Sequence, residues 1–341
     1  MLKNLKLILI STAPPYSGRG VYTLNLYNEL KQFIKPILIW KYHFHHGIIK
    51  QVTLIPIIFT KKLTKENTII HFLSEGSSII SPILAGKKIV TLHDIPHSKF
   101  FYGLLKNSFD AIITVSEDIR VSLKTVCPKT PIYNIPLGVD SRIFKPLSRD
   151  YARECLSLGK KDLVLFTSDG DPKKHVDIVL DVLYCLRVRY KLDIKLIILG
   201  KPTEIIIQKI RNLGLNNSVI FLYDVPTRIL VYAYNSANLM LYLSTYDASP
   251  LVVLEAMACG LPVISTKVGS VPFFLKGYEE LLIEKFSDVD AITEKVFRFL
   301  NDNTALDYYS KSLRERAVRE FSWRRVAAET VKVYEKVLQS V

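Results

Sequence analysis

Leu239-Met-Leu-Tyr-Leu-Ser244-Thr-Tyr-Asp247-Ala-Ser-Pro250-Leu-Val-Val-Leu-Glu255-Ala-Met-Ala-Cys-Gly260-Leu-Pro-Val-Ile264 sets a strand, a loop, a helix and a second strand in one stretch of chain. Leu239–Leu243 is a short continuous apolar run of the length expected for a strand buried on both faces. Pro250 suits the first turn of a helix, where a missing N–H costs nothing. That helix carries Glu255, then the small residues Ala256, Ala258 and Gly260, which permit close packing. Pro262–Ser265 is the next strand. A strand, a helix and a strand in this order form a parallel crossover unit, which points to the α/β class.

The same alternation continues outward. Leu5–Ser11 is an apolar strand that runs into Ala13-Pro14-Pro15-Tyr16-Ser17-Gly18-Arg19-Gly20, and the spacing of Val21, Leu24, Tyr27 and Leu30 predicts a helix after that loop. Ile37–Trp40, Thr68–Phe72, Lys88–Leu92, Ala111–Val115 and Ile132–Ile135 read as further strands. After Pro146 the pattern restarts, with strands at Leu163–Thr167, Ile194–Leu199 and Ser218–Leu222 and a helix over Val176–Tyr190. Trp323, Val326, Thr330, Val333 and Val337 give a terminal helix an apolar face. The expected fold is α/β, with two Rossmann-like domains whose parallel sheets face each other across a cleft.

A chain of 341 residues agrees with two domains at roughly 100–200 residues each. Hydrophobic residues at 49% and a mean hydropathy of +0.19 supply two cores and exclude disorder. No apolar run approaches the ~18–20 residues of a membrane span. Met1-Leu-Lys-Asn-Leu-Lys before Leu7-Ile-Leu-Ile has the outline of a leader peptide, but its apolar part is too short and a first strand is the expected reading. Cys127, Cys155, Cys185 and Cys259 are dispersed, as in a reduced, cytoplasmic protein. The net charge is +14, and residues 1–145, with 19 Lys/Arg against 8 Asp/Glu, carry +11 of it. Such a half suits an anionic partner, although generic solubility explains it nearly as well. No recognition motif accompanies the charge, so a nucleic-acid partner is not expected.

Ligands of open α/β sheets bind beyond the carboxyl ends of the strands, so the residues there carry the chemistry. Gly18 and Gly20 precede a helix, where they allow either a close approach to an anion or a plain tight turn. A dinucleotide fingerprint is incomplete, because Thr23 stands where a third glycine belongs. His93-Asp94 follows a buried strand, in place to bond a sugar hydroxyl or carry a proton. Lys173 and Lys174 sit before a helix, where a diphosphate would be neutralised. Asp247 and Glu255, on a loop and the following helix, can grip polyol hydroxyls. His43, His45 and His46 lie in a basic, aromatic stretch that reads as a solvated loop rather than a metal site.

Taken together these segments resemble the retaining, nucleotide-sugar-dependent glycosyltransferases of the GT-B fold, glycosyltransferase family 4. The resemblance rests chiefly on the acid, seven residues, acid pattern with Leu-Glu255-Ala-Met-Ala-Cys-Gly260-Leu-Pro-Val-Ile264. The glycine loop, His93-Asp94, Val115-Ser116-Glu117, Ile135-Pro-Leu-Gly138-Val-Asp140, Phe144-Lys-Pro146 and Phe321-Ser-Trp323 add to it. It implies an acceptor domain over 1–142, with the helix 321–341 returning to it, and a nucleotide-sugar domain over 143–320. It implies catalytic roles for His93, Lys174 and Asp247, with His93 at the donor sugar, Lys174 at the diphosphate and Asp247 near the transferred sugar. Gly18, Gly20, Leu251, Val252 and Glu255 become donor-binding residues, with Gly18, Gly20 and the amides of Leu251 and Val252 at the phosphates and Glu255 at the ribose.

Three positions depart from that family's pattern: Asp169 in place of an Arg, His175 in place of a Gly, and Asp247 in place of a Glu. Asp169 reverses a charge beside the diphosphate, and Lys173, Lys201 and Arg19 are the cations available to compensate. The expected reaction moves a hexosyl unit from a nucleoside-diphosphate sugar to a hydroxyl of a glycan, glycolipid or protein acceptor, with retention, no cofactor and no metal. A nucleotide-sugar-binding pseudoenzyme and an epimerase on the same fold are the alternatives. The segment His97–Asp110, with Phe100, Phe101, Leu104, Leu105 and Phe109 beside Lys99 and Lys106, reads first as a packed helix. Its second reading is peripheral contact with the cytoplasmic face of an anionic membrane.

Overall fold

The computed structural model describes residues 5–15, 17–40, 67–96, 98–159, 163–167 and 172–340. The chain divides into two compact units, Met1–Gly138 with Trp323–Val341, and Val139–Ser322.

The first unit holds six strands: β1 (Lys6–Ser11), β2 (Ile37–Trp40), β3 (Thr68–Phe72), β4 (Lys87–Leu92), β5 (Ala111–Thr114) and β6 (Ile132–Asn134). All pair in parallel, in the order β2-β1-β3-β4-β5-β6. Register places Leu9 beside His71, and His71 beside Ile89. Leu7, Ile8, Leu9, Ile10, Ile69, Ile70 and Phe72 are all fully buried, which is why these strands read as continuous apolar runs rather than alternating ones. The helices Gly18–Leu30 and Trp323–Gln339 belong to this unit and meet at Tyr22 and Trp323, whose rings lie 6.1 Å apart.

The first helix begins at Gly18, three residues before the apolar spacing predicts. Ser17 explains the difference. Its hydroxyl accepts from the Gly20 amide at 3.2 Å and its carbonyl accepts from Val21 at 2.9 Å, so the cap draws both glycines into the first turn. In the segment His97–Asp110, the helix Lys99–Ser108 buries Leu104 and Leu105, and Phe109 is buried just beyond it, whereas Phe100 is 66% exposed.

The second unit holds β7 (Leu163–Thr167), β8 (Lys195–Leu199), β9 (Val219–Leu222), β10 (Leu239–Tyr242), β11 (Val263–Thr266) and β12 (Leu282–Ile283). They also pair in parallel, in the order β12-β11-β10-β7-β8-β9. Read from the β9 edge this is the 3-2-1-4-5-6 order of dinucleotide-type sheets. The helix of the opening stretch is Leu251–Ala258, and Pro250 stands at its cap rather than inside its first turn. Direction reverses between β1 and β3 in the first unit and between β7 and β10 in the second. Open parallel sheets bind ligands in a crevice at such a reversal, beyond the carboxyl ends of the strands, which makes the loops leaving those strands the crevice loops.

Candidate active site

At the reversal in the second unit, a short 3-10 turn, Pro172–Lys174, ends at Lys174, and β10 ends at Tyr242. The Lys174 ammonium donates to Asp247 Oδ2 at 2.6 Å and to the Tyr242 hydroxyl at 2.7 Å. Tyr242 in turn donates to the same carboxylate oxygen at 2.7 Å. The three groups close a triangle in which Tyr242 is fully buried, while the Lys174 and Asp247 side chains are 12% and 25% exposed. The amide of Thr245 donates to the Lys173 carbonyl at 3.0 Å, which ties the two crevice loops together. Asp247 itself rests on Gly269, and Ser270 donates to the Ala248 carbonyl at 3.0 Å.

Beyond this triangle begins the helix Leu251–Ala258, and Pro250 supplies no capping side chain. First-turn amides have no acceptor within a helix, so those of Leu251 and Val252 present positive partial charge to the crevice loop. Glu255, one turn further on, accepts from the Tyr234 hydroxyl at 2.9 Å. Burial outweighs that bond and pushes its carboxyl up to about 7. Nearby, His175 caps the helix Val176–Val188 in the left-handed region, at φ 47°. Its ring stacks on Phe286 at 4.3 Å. It borders a cavity of about 450 Å³, lined also by Pro172, Val176, Lys201 and Phe221.

The first unit carries a second ion pair at its own reversal. Glu75, directly beyond β3, pairs with Arg19 at 3.4 Å and accepts the backbone amides of His93 and of Asp94, the latter at 3.0 Å. The His93 Nε2 atom lies 3.1 Å from the Leu73 carbonyl. A carbonyl only accepts, so Nε2 carries the proton and Nδ1 is left as the acceptor of the ring. Burial lowers the pKa of His93 to about 4, and the imidazole is neutral at pH 7.

Residues 149–317 match the family model described as glycosyl transferases group 1. Residues 149–317 therefore carry a domain of that family. An MMP alpha-(1->4)-mannosyltransferase of Mycolicibacterium hassiacum is 28% identical over 233 residues, which cover 67% of this chain and 55% of that protein. An N-acetyl-alpha-D-glucosaminyl L-malate synthase of Bacillus anthracis is 25% identical over 240 residues, covering 67% and 60%. The matches thus span little more than half the length of these two relatives. Among solved structures, a sucrose-phosphate synthase of Thermosynechococcus elongatus superposes with a TM-score of 0.83 at 18% identity, covering 98% of this chain and all of the other. Anabaena HepE in complex with UDP-glucose gives 0.79 at 16% identity, with 98% and 100% covered. The fold of the chain is therefore GT-B.

In the second unit, Lys174 and Asp247 touch, while Glu255, Leu251 and Val252 share the helix that follows Asp247. Gly20 is already engaged: a Cβ there would lie 2.1 Å from the Pro14 carbonyl oxygen, and its amide is held by Ser17. Gly18 stands exposed at the first position of the helix. Of the cations weighed against Asp169, Arg19 is paired with Glu75, Lys173 sits 4.8 Å over the Tyr246 ring, and Lys201 lines the cavity. Asp169 itself lies outside the described residues, as do His43, His45 and His46. Glu75, Tyr242, Tyr234 and Gly269 escape a reading of the sequence. Glu75 had a usable signal, because it follows a strand as His93 does. Tyr242 and Tyr234 read as core aromatics, and nothing in the sequence reveals that their hydroxyls meet carboxylates.

Proposed function

We propose that this chain transfers a hexosyl unit from a nucleoside-diphosphate sugar to an acceptor hydroxyl with retention at the anomeric carbon. The observation that carries the reading is the Lys174 ammonium, fixed between Tyr242 and Asp247 at the reversal of the β7–β12 sheet, where the loop bearing Asp247 leads into a helix with no side-chain cap. In the reaction the bond from the anomeric carbon to the diphosphate oxygen breaks, and its electron pair leaves with the phosphate. The acceptor oxygen bonds to the same face of that carbon, and its proton passes to the departing phosphate oxygen. Lys174 and the amides of Leu251 and Val252 meet the charge that develops on the diphosphate, the kind of fixed electrostatic stabilisation that dominates such steps. The cation needed at the diphosphate is thus a side chain, and the reading calls for no metal or cofactor.

Glu255 holds the ribose hydroxyls in this reading, and His93 accepts a sugar hydroxyl at Nδ1. The cavity beside His175 has room for a nucleobase. The names of the relatives, a mannosyltransferase and an N-acetyl-alpha-D-glucosaminyl L-malate synthase, and of a structural neighbour in complex with UDP-glucose, favour a hexosyl donor. The basic first unit takes a glycan, glycolipid or protein acceptor. Exposed Phe100, flanked by Lys99 and Lys106, is where it would meet an anionic membrane, and flotation with anionic vesicles at low salt tests that contact.

A panel of nucleotide-sugars titrated by calorimetry and followed for turnover tests the proposal. One donor should bind and turn over slowly in the wild type, and both binding and turnover should be lost in Lys174→Ala and Glu255→Ala. The anomeric proton coupling of the product should match that of the donor. Binding that survives both substitutions would sink the site assignment, and binding without any transfer would leave a nucleotide-sugar-binding protein.

A further inference from the structure

Beneath His93 runs a buried polar chain that the reaction does not use. His71, fully buried on β3, has its Nδ1 atom 2.7 Å from the Tyr334 hydroxyl and its Nε2 atom 2.8 Å from Thr91 Oγ1. Thr91, fully buried on β4, meets the Tyr22 hydroxyl at 3.0 Å. The Tyr22 ring then stands edge-on against the His93 imidazole, with centroids 4.7 Å apart and planes at 75°. The Tyr22 ring also lies 6.1 Å from that of Trp323, the first residue of the C-terminal helix, and Tyr334 stands three turns along that same helix.

Apolar side chains of the same size would join these elements without desolvating an imidazole and three hydroxyls. What the polar chain adds is direction. Aliphatic packing leaves a tyrosine ring free to turn about its torsions, whereas a bond at its hydroxyl fixes where the ring ends. His71 is a neutral bridge throughout, since burial lowers its pKa to about 3. Apart from the Tyr22 edge, the ring of His93 is held by the bond from Nε2 to the Leu73 carbonyl. Two restraints in different directions fix an imidazole plane where one does not.

We propose that Tyr334, His71, Thr91 and Tyr22 form a positioning chain that sets the angle of His93 toward a substrate hydroxyl, making the C-terminal helix a support of the site. The inference rests on the reading of His93 as a substrate contact. Tyr22 and Tyr334 are positioning residues and touch no substrate.

Tyr22→Phe and Tyr334→Phe keep the rings and remove only the hydroxyls, so both variants should fold. Each should lower kcat about tenfold, the scale of a small misplacement, with the donor KM little changed. In a His93→Ala background neither should lower it further, because residues acting through one group are not additive. The imidazole nitrogen resonances of His93, assigned by their loss in His93→Ala, should shift in both tyrosine variants. Rate losses that add to that of His93→Ala would overturn the proposal, as would His93 resonances identical to those of the wild type. A His93→Ala variant with unchanged turnover would instead remove the functional reading of His93, and the resonances would still decide whether the chain positions the ring.

Discussion

A methyl group on Gly269 would stand 2.0 Å from the Asp247 carbonyl oxygen and 2.3 Å from that of Ala248, at a φ of +50°. Gly269→Ala therefore combines a left-handed residue, worth about 1–2 kcal/mol, with a clash that must push the Asp247 loop away. Gly277 makes the comparison: its φ is +87°, and a Cβ there meets nothing within 4 Å. We expect Gly269→Ala to lower Tm more than Gly277→Ala and to weaken donor binding, while Gly277→Ala leaves binding unchanged. Thermal melts and donor titrations of the two variants check this. Gly269 also marks where residue-scale reading stops. A glycine four residues past a strand is ordinary in a sequence, and its purpose is set by a loop some twenty residues earlier. Asp247 and Lys174 stand out in the sequence because charge at a strand end has few other uses. Their third partner, Tyr242, does not, because a tyrosine in an apolar run looks like core until its hydroxyl is seen at 2.7 Å from a carboxylate.

Among the elements, the start of the first helix depends on one hydroxyl. Ser17 donates to the Pro14 carbonyl at 2.7 Å while accepting from Gly20, clamping the loop beyond β1 to the turn that bears Arg19. Loss of this cap in Ser17→Ala should cost about 1 kcal/mol, seen as a lower Tm, and Ser17→Thr should restore it by keeping both bonds. A Tm in Ser17→Ala equal to the wild type would mean that the close approach of Gly20 to Pro14 and Pro15 alone holds the loop. The elements themselves were readable from runs of four to six apolar residues, since strands buried on both faces leave no other pattern. Their ends were not, because capping outranks periodicity: Ser17 brings two poor helix formers into a helix that hydrophobic spacing starts at Val21. The 3-10 helix Glu75–Ile83 has Pro82 within it, and the pairing of Glu75 with Arg19 depends on β1 and β3 lying side by side.

At the scale of the molecule, alternation of strand and helix gives the class but not the order of strands, which depends on the side to which each crossover turns. That order places Arg19 with Glu75 at one reversal and Lys174 with Asp247 at the other. It also gives the two units opposite responses to acid. In the first unit, burial lowers His71 to about 3 and His93 to about 4, against roughly 6.5 when unfolded. Below pH 6.5 the unfolded chain binds protons that the folded unit refuses, so stability present at neutral pH is lost as pH falls toward 4. In the second unit, Glu255 is raised to about 7, against roughly 4.3 unfolded. Here the folded state holds the extra proton, so its contribution is full below pH 4.3 and is lost as pH rises through 7. Between pH 6.5 and 4.5 the histidines destabilise the first unit on acidification while Glu255 stabilises the second. Hydrogen exchange, corrected for intrinsic rates, should show amides of Ile69 and Ile70 losing protection over that range while those of Met240 and Leu241 gain it. Glu255→Gln should abolish the gain without altering the loss. Parallel changes in the two sheets, or a gain that persists in Glu255→Gln, would show that the pH response arises from other groups.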